Sequence, residues 1–203
     1  MKSLFFTCAL LFSLIVLAQK SSKSNSDLNR FRIGIIIGTP NSLGGNAEYL
    51  SPLFKDRVAV FFNYSGLSFF VDDFDNDVNY MEIGSNIYFK TTGSGLYGSL
   101  GYGKLDIHSI YENAFTLEGE KFESKAEGDL DVNTFNVKIG FKAGNKFYFR
   151  TELGYGFGSI PQEILVTGTI NDTPVQGIKE VPDVPGISEN GYPLFNIGVG
   201  FSF

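Results

Sequence analysis

From residue 30 to the end of the chain, large apolar side chains recur at every second position, with small or polar residues between them. Ile197, Val199, Phe201 and Phe203 alternate with Asn196, Gly198, Gly200 and Ser202. Successive side chains of a strand point to opposite faces, so this spacing predicts ribbons with one apolar and one small or polar face. Eight segments read this way. The first covers 30–38, with Phe31, Ile33, Ile35 and Ile37 on its apolar face. The second, 43–50, is weaker, with Ala47 and Tyr49 on the apolar side and Asn46 and Glu48 opposite. The third covers 57–70, where the doublet Phe61-Phe62 leaves the facing open. The fourth, 78–90, sets Met81, Ile83, Ile87 and Phe89 against Glu82, Gly84 and Asn86. The fifth, 96–107, is also open in its facing. The sixth, 132–143, carries Phe135, Val137, Ile139 and Phe141 on one face. The seventh, 147–158, carries Phe147, Phe149, Leu153, Tyr155 and Phe157, and the eighth is 192–203.

The connections support the count. Short turns at 51–56, 91–95 and 143–145 alternate with segments at 39–42, 71–77, 108–131 and 159–191, of which the last two are long. Short turns on one side and longer loops on the other are the signature of a transmembrane barrel, whose short side faces the periplasm. The expected fold is therefore all-β: an eight-stranded, antiparallel, up-and-down transmembrane barrel. An even count puts both strand termini on the short side, so the weak second strand is needed. The turn at 143–145, with both apolar faces kept aligned, is expected to pair Phe141 with Phe147, Ile139 with Phe149, Lys138 with Arg150 and Asn136 with Glu152. Tyr49, Phe89, Phe141, Phe147, Phe201 and Phe203 then form an aromatic girdle at the short-turn end.

The N-terminus changes the picture of where such a barrel resides. Lys2, an apolar run over 4–17 and Val16-Leu17-Ala18 make a signal peptide, with cleavage expected after Ala18. The run is too short for a spanning helix. Residues 19–29 are polar and read as a flexible lead-in to a barrel domain over 30–203. The one cysteine, Cys8, falls inside the leader, so neither disulfides nor thiol chemistry is expected in the exported chain. The chain holds 21 Phe, 10 Tyr and 24 Gly, a composition suited to strands in a membrane rather than to helices. Its formal charge of -6 argues against nucleic acid as a partner.

Eight strands enclose a space that side chains nearly fill. Arg32, Glu48, Glu82, Lys138, Arg150 and Glu152 are expected to point into it, with Gly34, Gly84, Gly140, Gly154, Gly156, Gly198 and Gly200 leaving room. Their mixed signs favour an interlocked polar plug over an ion gate. A soluble, lipocalin-like barrel would reverse the facing. The bare stripe of Gly154, Gly156 and Gly158 opposite the aromatics suits a crowded interior better than a water-facing wall.

At these residues the chain resembles the small outer-membrane β-barrel proteins of diderm bacteria, of the OmpA-transmembrane-domain and OmpX kind. The resemblance rests on the C-terminal pattern of Asn196, Gly198, Phe201 and Phe203, and on the strand text at 97–103 and 152–156. It implies the barrel-assembly machinery as a partner that reads this terminal signal, and a monomer set among outer-membrane lipid and lipopolysaccharide. No cofactor is implied.

Candidate chemistry is sparse. His108 is the sole histidine, and its neighbour Ser109 falls on the opposite face, so no nucleophile and base stand together. Glu112 is a candidate to orient His108. A lipid A-modifying enzyme is thus the second reading, and a narrow gated conduit the third. Asp73, Asp75 and Asp77 repeat at the opening spacing of a calcium loop, but its glycine and closing glutamate are missing. A solvated acidic loop is the plainer reading. The segments 115–117 and 121–124, and 164–170 and 175–181, flank turn-forming clusters and are expected to form hairpins that extend the wall. An extracellular protein ligand would meet the chain there, and the expected role is structural or one of surface interaction.

Overall fold

The computed structural model describes residues 28–52, 54–71, 74–112, 116–117, 120–121, 124–170, 173–180 and 187–203. The leader and most of the lead-in lie outside them, as does Asp73. The strands are β1 (Phe31–Thr39), β2 (Ser42–Leu50), β3 (Val58–Val71), β4 (Phe74–Tyr88), β5 (Gly95–Glu112), β6 (Thr116–Leu117), β7 (Glu120–Lys121), β8 (Ser124–Gly144), β9 (Phe147–Phe157), β10 (Glu163–Ile170), β11 (Thr173–Glu180) and β12 (Gly191–Ser202). Eight of them form the wall, in the order β8-β5-β4-β3-β2-β1-β12-β9, and a β8–β9 pairing closes the ring. All wall pairings are antiparallel. The weak second strand is a full member, paired to β1 on one side and β3 on the other. The first and last strands meet at a seam where the Phe31 amide donates to the Phe203 carbonyl (3.1 Å) and the Phe203 amide to the Phe31 carbonyl (2.7 Å).

The alternation resolves into an apolar outside and a polar inside. Ile33, Ile83, Ile139, Leu153 and Val199 are exposed on the outer surface, while Glu48, Glu82, Lys138, Arg150 and Glu152 are buried within. The two open facings are settled by packing. On β3, Val60, Phe62 and Tyr64 face out and Phe61 faces in. Gly84 permits this, because a Cβ there would lie 2.8 Å from the Phe61 ring. On β5, Leu96, Leu100 and Tyr102 face out and Tyr97 faces in, over Gly140. Outside, ring contacts Phe31–Tyr49 (4.9 Å) and Phe147–Phe201 (5.4 Å) lie at the short-turn end.

The strands run further than the alternation predicts. β5 has 18 residues and β8 has 21, against the roughly 10 that cross a bilayer. On the long-loop side β8 leaves β9 and takes β10 as its neighbour, with Val166 opposite Gly128 and Ile170 opposite Ser124. The β10–β11 hairpin matches the second expected hairpin. The first shrinks to the two-residue ladder of β6 and β7, and Ser124 belongs to β8.

The register across the β8–β9 turn differs from the expected one by four residues. Phe141 lies opposite Thr151, Ile139 opposite Leu153, Lys138 opposite Gly154 and Asn136 opposite Gly156. The pairing continues to Ala143–Phe149 and Gly144–Tyr148, so the chain reverses around Lys146 rather than within 143–145. Gly144 makes that tight reversal possible at φ 109, and a Cβ there would strike the Phe147 carbonyl oxygen at 2.1 Å. A shift of four preserves side-chain parity, which is why every facing survives the error. It also keeps Lys142 in the strand, opposite Arg150.

Paired cysteines test this register on a background whose one native cysteine is Cys8. Val137→Cys with Tyr155→Cys is expected to cross-link under mild oxidation, because directly opposed Cβ atoms lie within about 5.5 Å. Val137→Cys with Thr151→Cys is expected to stay reduced, its partners being about 13 Å apart along the strand.

Candidate functional site

The barrel interior is the most highly organised polar region among the described residues. Strand parity aims each side chain inward, and antiparallel register stacks them into two tiers. Nearer the short turns, Glu48 on β2 accepts from Arg32 on β1, from the Lys142 Nζ on β8 (2.6 Å), from the Asn86 amide on β4 (2.8 Å) and from the Tyr88 hydroxyl (3.0 Å). In the second tier, Glu82 on β4 accepts from the Lys138 Nζ (2.7 Å) and from the amides of Asn63 and Asn136 (2.9 Å each). Glu152 on β9 joins the tiers. It accepts from its strand neighbour Arg150, from the Tyr97 hydroxyl (2.8 Å) and from the Asn196 amide (3.1 Å), and lies 3.4 Å from Lys138. Asn196 in turn accepts from the Asn41 amide at 2.7 Å.

A carboxylate removed from water is costly unless its lone pairs are filled, and here each carboxylate takes at least three donors. Aromatic rings add to this. The Lys138 Nζ lies 4.8 Å from the Phe61 ring centroid, and the Lys142 Nζ lies 4.7 Å from that of Tyr148. Apolar clusters pack against the network towards both ends. Leu50, Ala59, Tyr88 and Tyr97 pack near the short turns. Val132, Ile160, Tyr192 and Leu194 pack on the long-loop side, where Ile160 enters from the segment after β9.

All six charged residues expected inside converge here. The sequence reading missed Lys142 and the tyrosines Tyr80, Tyr88, Tyr97 and Tyr148, all buried. Their signal was available in part, since Tyr88 and Tyr148 each lie between two outward residues and parity alone turns them inward. In the terminal pattern, Asn196 belongs to the interior network, Gly198 packs against Ile36 and Arg150, and Phe201 and Phe203 face out.

Outside the barrel the candidates separate. Asp75 and Asp77 are exposed on β4, and the Asp77 carboxylate accepts from the Ser68 hydroxyl. With Asp73 outside the described residues, no group of three metal-ligating side chains occurs among them. His108 and Ser109 do point to opposite faces. Ser109 donates to Asn76 (2.7 Å), while the His108 Nδ1 lies 2.6 Å from Asp129. That carboxylate raises the His108 pKa above its ordinary value. Nearer the apolar band, Lys104 and Asp106 pair, which raises the lysine pKa and lowers that of Asp106, and the Asp106 carboxylate, as a hydrogen-bond acceptor beside it, raises that of Asp131. These groups place no nucleophile beside a base.

No protein-family model matches the chain, and no curated protein sequence matches it. Among solved structures, the chain is similar to the crystal structure of CarO from Acinetobacter baumannii, at 15% identity and a TM-score of 0.49 over 86% of this chain and 98% of that one. The likeness is too slight to bear on function. The class that the fold itself defines is a closed eight-stranded barrel with an apolar exterior and a buried, charged interior.

Two predictions follow from this geometry. Lys138→Met leaves Glu82 without its cation and is expected to cost about 3 kcal/mol in urea unfolding from detergent, with Glu82→Gln in the same chain restoring part of the loss. In proton NMR, His108 is expected to titrate above 6.5 and Asp129→Asn to lower its midpoint. Because the folded value lies above the unfolded one, the His108–Asp129 contribution is complete at acid pH and disappears as the pH rises through that midpoint.

Proposed function

We propose that the chain is a monomeric, non-enzymatic integral protein of a bacterial outer membrane, with a structural or surface-interaction role carried by the wall that extends beyond the bilayer. One observation carries this reading. Apolar side chains cover the outer face of all eight wall strands, while the charges are buried inside. In water this arrangement exposes a large apolar belt for no gain; in hydrocarbon it is the arrangement that costs least. On this reading the short-turn end faces the periplasm. The signal peptide is removed after Ala18, and the terminal pattern of Asn196, Gly198, Phe201 and Phe203 is read by the barrel-assembly machinery. The acidic row above the apolar belt, which includes Asp75, Asp77, Asp106, Asp129 and Asp131, would meet the lipopolysaccharide headgroups.

The extended wall supports the interaction role. β3, β4, β5, β8, β10 and β11 continue past the height at which β1, β9 and β12 end, and β11 is an edge strand. Leu165 and Ile178 stand opposite each other on the last hairpin, both exposed. An edge of this kind can pair with an extended segment of an extracellular protein. The apolar clusters that pack against the charged network weigh against a conduit, and the lone His108–Asp129 pair weighs against lipid chemistry.

Folded protein extracted from membranes with detergent is expected to migrate faster on a gel before boiling than after. In a planar bilayer it is expected to pass no current. Replacing 163–180 with a short Gly-Ser turn is expected to preserve the gel shift and abolish binding at the cell surface. Stepwise single-channel conductance, or loss of the gel shift on trimming, would contradict the proposal.

A further inference from the structure

The charges inside the barrel do not balance. Arg32, Lys138, Lys142 and Arg150 are buried there against Glu48, Glu82 and Glu152, four cations against three carboxylates among the described residues. The remaining buried carboxylate, Asp56, sits in the turn after β2 and pairs with Arg30 at 2.9 Å. The excess lies at the short-turn end. Arg32 and Lys142 both bond the same oxygen of Glu48, and Lys142 stands opposite Arg150 in the register. Arg150 is directed to Glu152 through one nitrogen, and its Nε and Nη1 have no hydrogen-bond partner.

A cavity of about 260 Å³ opens beside this excess, at the short-turn mouth. Arg32, Lys142 and Tyr148 line it, together with the small polar side chains of Asn29, Ser94 and Ser202. The Tyr148 side chain is 1% exposed, and its hydroxyl has no hydrogen-bond partner. A buried phenol and a buried guanidinium with unused donors are each costly, and both stand where positive charge is already in excess. Gly93 lets the turn before β5 pack closely on the Arg32 guanidinium at the cavity wall. It sits at φ +60, and a Cβ there would lie 2.3 Å from Arg32 Nη2.

We propose that this mouth binds a small tetrahedral oxyanion of the phosphate class, held by Arg32, Lys142 and the Tyr148 hydroxyl. The anion supplies the missing negative charge. Its several acceptor oxygens match donors that come from four strands, one turn and the segment before β1, more than the two oxygens of a carboxylate can use. The volume takes such an ion with part of its hydration shell. The inference goes beyond the outer-membrane reading and does not require it, since the site is formed by the folded barrel alone. The same chemistry could come from free phosphate or from the phosphate of a lipid headgroup.

Calorimetric titration of the folded chain in a non-ionic maltoside detergent tests this, with inorganic phosphate as the probe. Saturable binding of one phosphate per chain is expected. Asn29→Asp adds a like charge at the mouth without removing a cation, and is expected to weaken phosphate binding at least about tenfold. Lys142→Gln is expected to weaken it as well; if that variant does not fold, Asn29→Asp carries the test, since Asn29 is outside the buried network. Glycerol 3-phosphate binding more tightly than phosphate would identify a lipid headgroup as the source, and weaker binding the free ion; either supports the site. No uptake of phosphate by the unaltered chain, equal affinity in Asn29→Asp, or acetate bound as tightly as phosphate would overturn it.

Discussion

On the proposed membrane reading, backbone hydrogen bonding in a solvent that offers none is the constraint on which this structure depends. Each peptide group placed in hydrocarbon must find its partner within the protein, and a ring of strands with no free edge achieves this. The wall closes at two joints, β1 on β12 and β8 on β9, and both are continuous ladders. Once the ring is closed, the alternation of side chains allows no further choice. One parity faces the lipid and must be apolar, and the other faces a narrow space that must be filled and satisfied.

That second requirement explains the interior. Inward side chains from several strands meet inside the barrel, and glycines directly opposite on the neighbouring strand give the large rings room: Gly140 beside Tyr97 and Gly84 beside Phe61. The charged groups are stable there as a connected set, since each carboxylate is shared among cations, amides and phenols from several strands. Apolar clusters pack beside the set towards both ends, and the short-turn mouth stays open beside Arg32 and Lys142. The result is a rigid plug, with a residual positive charge left at the short-turn mouth. Past the ends of β1, β9 and β12 the ring no longer closes, and there the sheet opens, exchanging β9 for the β10–β11 hairpin as the neighbour of β8.

Parity was legible in six of the eight wall strands because it depends only on local spacing; the third and fifth left their facing open. The eight wall strands, the outward Ile33 and Ile83, and the inward Glu82 and Glu152 all follow from counting by twos. Register was not legible, because a slip of four residues leaves every facing unchanged; the conformation of Gly144 decides it, and apolar spacing carries no trace of that. Lys142 lay within the expected sixth strand at the parity of Lys138, but beside the expected turn, so its part in the interior network was missed. The facing of Phe61 and Tyr97 required knowing which glycine stands opposite each on the neighbouring strand. The long-loop segments showed their turn residues, but not that the second hairpin would join the edge of β8.

The account stands on hydrocarbon being the solvent around the outer face. Spin labels on single cysteines introduced at Ile83, Ile139, Leu153 and Val199, with the protein reconstituted in lipid bilayers, measure this directly through collision with dissolved oxygen and with a water-soluble nickel chelate. Oxygen should dominate at all four positions and the nickel chelate should dominate on the extended wall at Ile178. Ready access of the nickel chelate to the four wall positions would contradict the central claim.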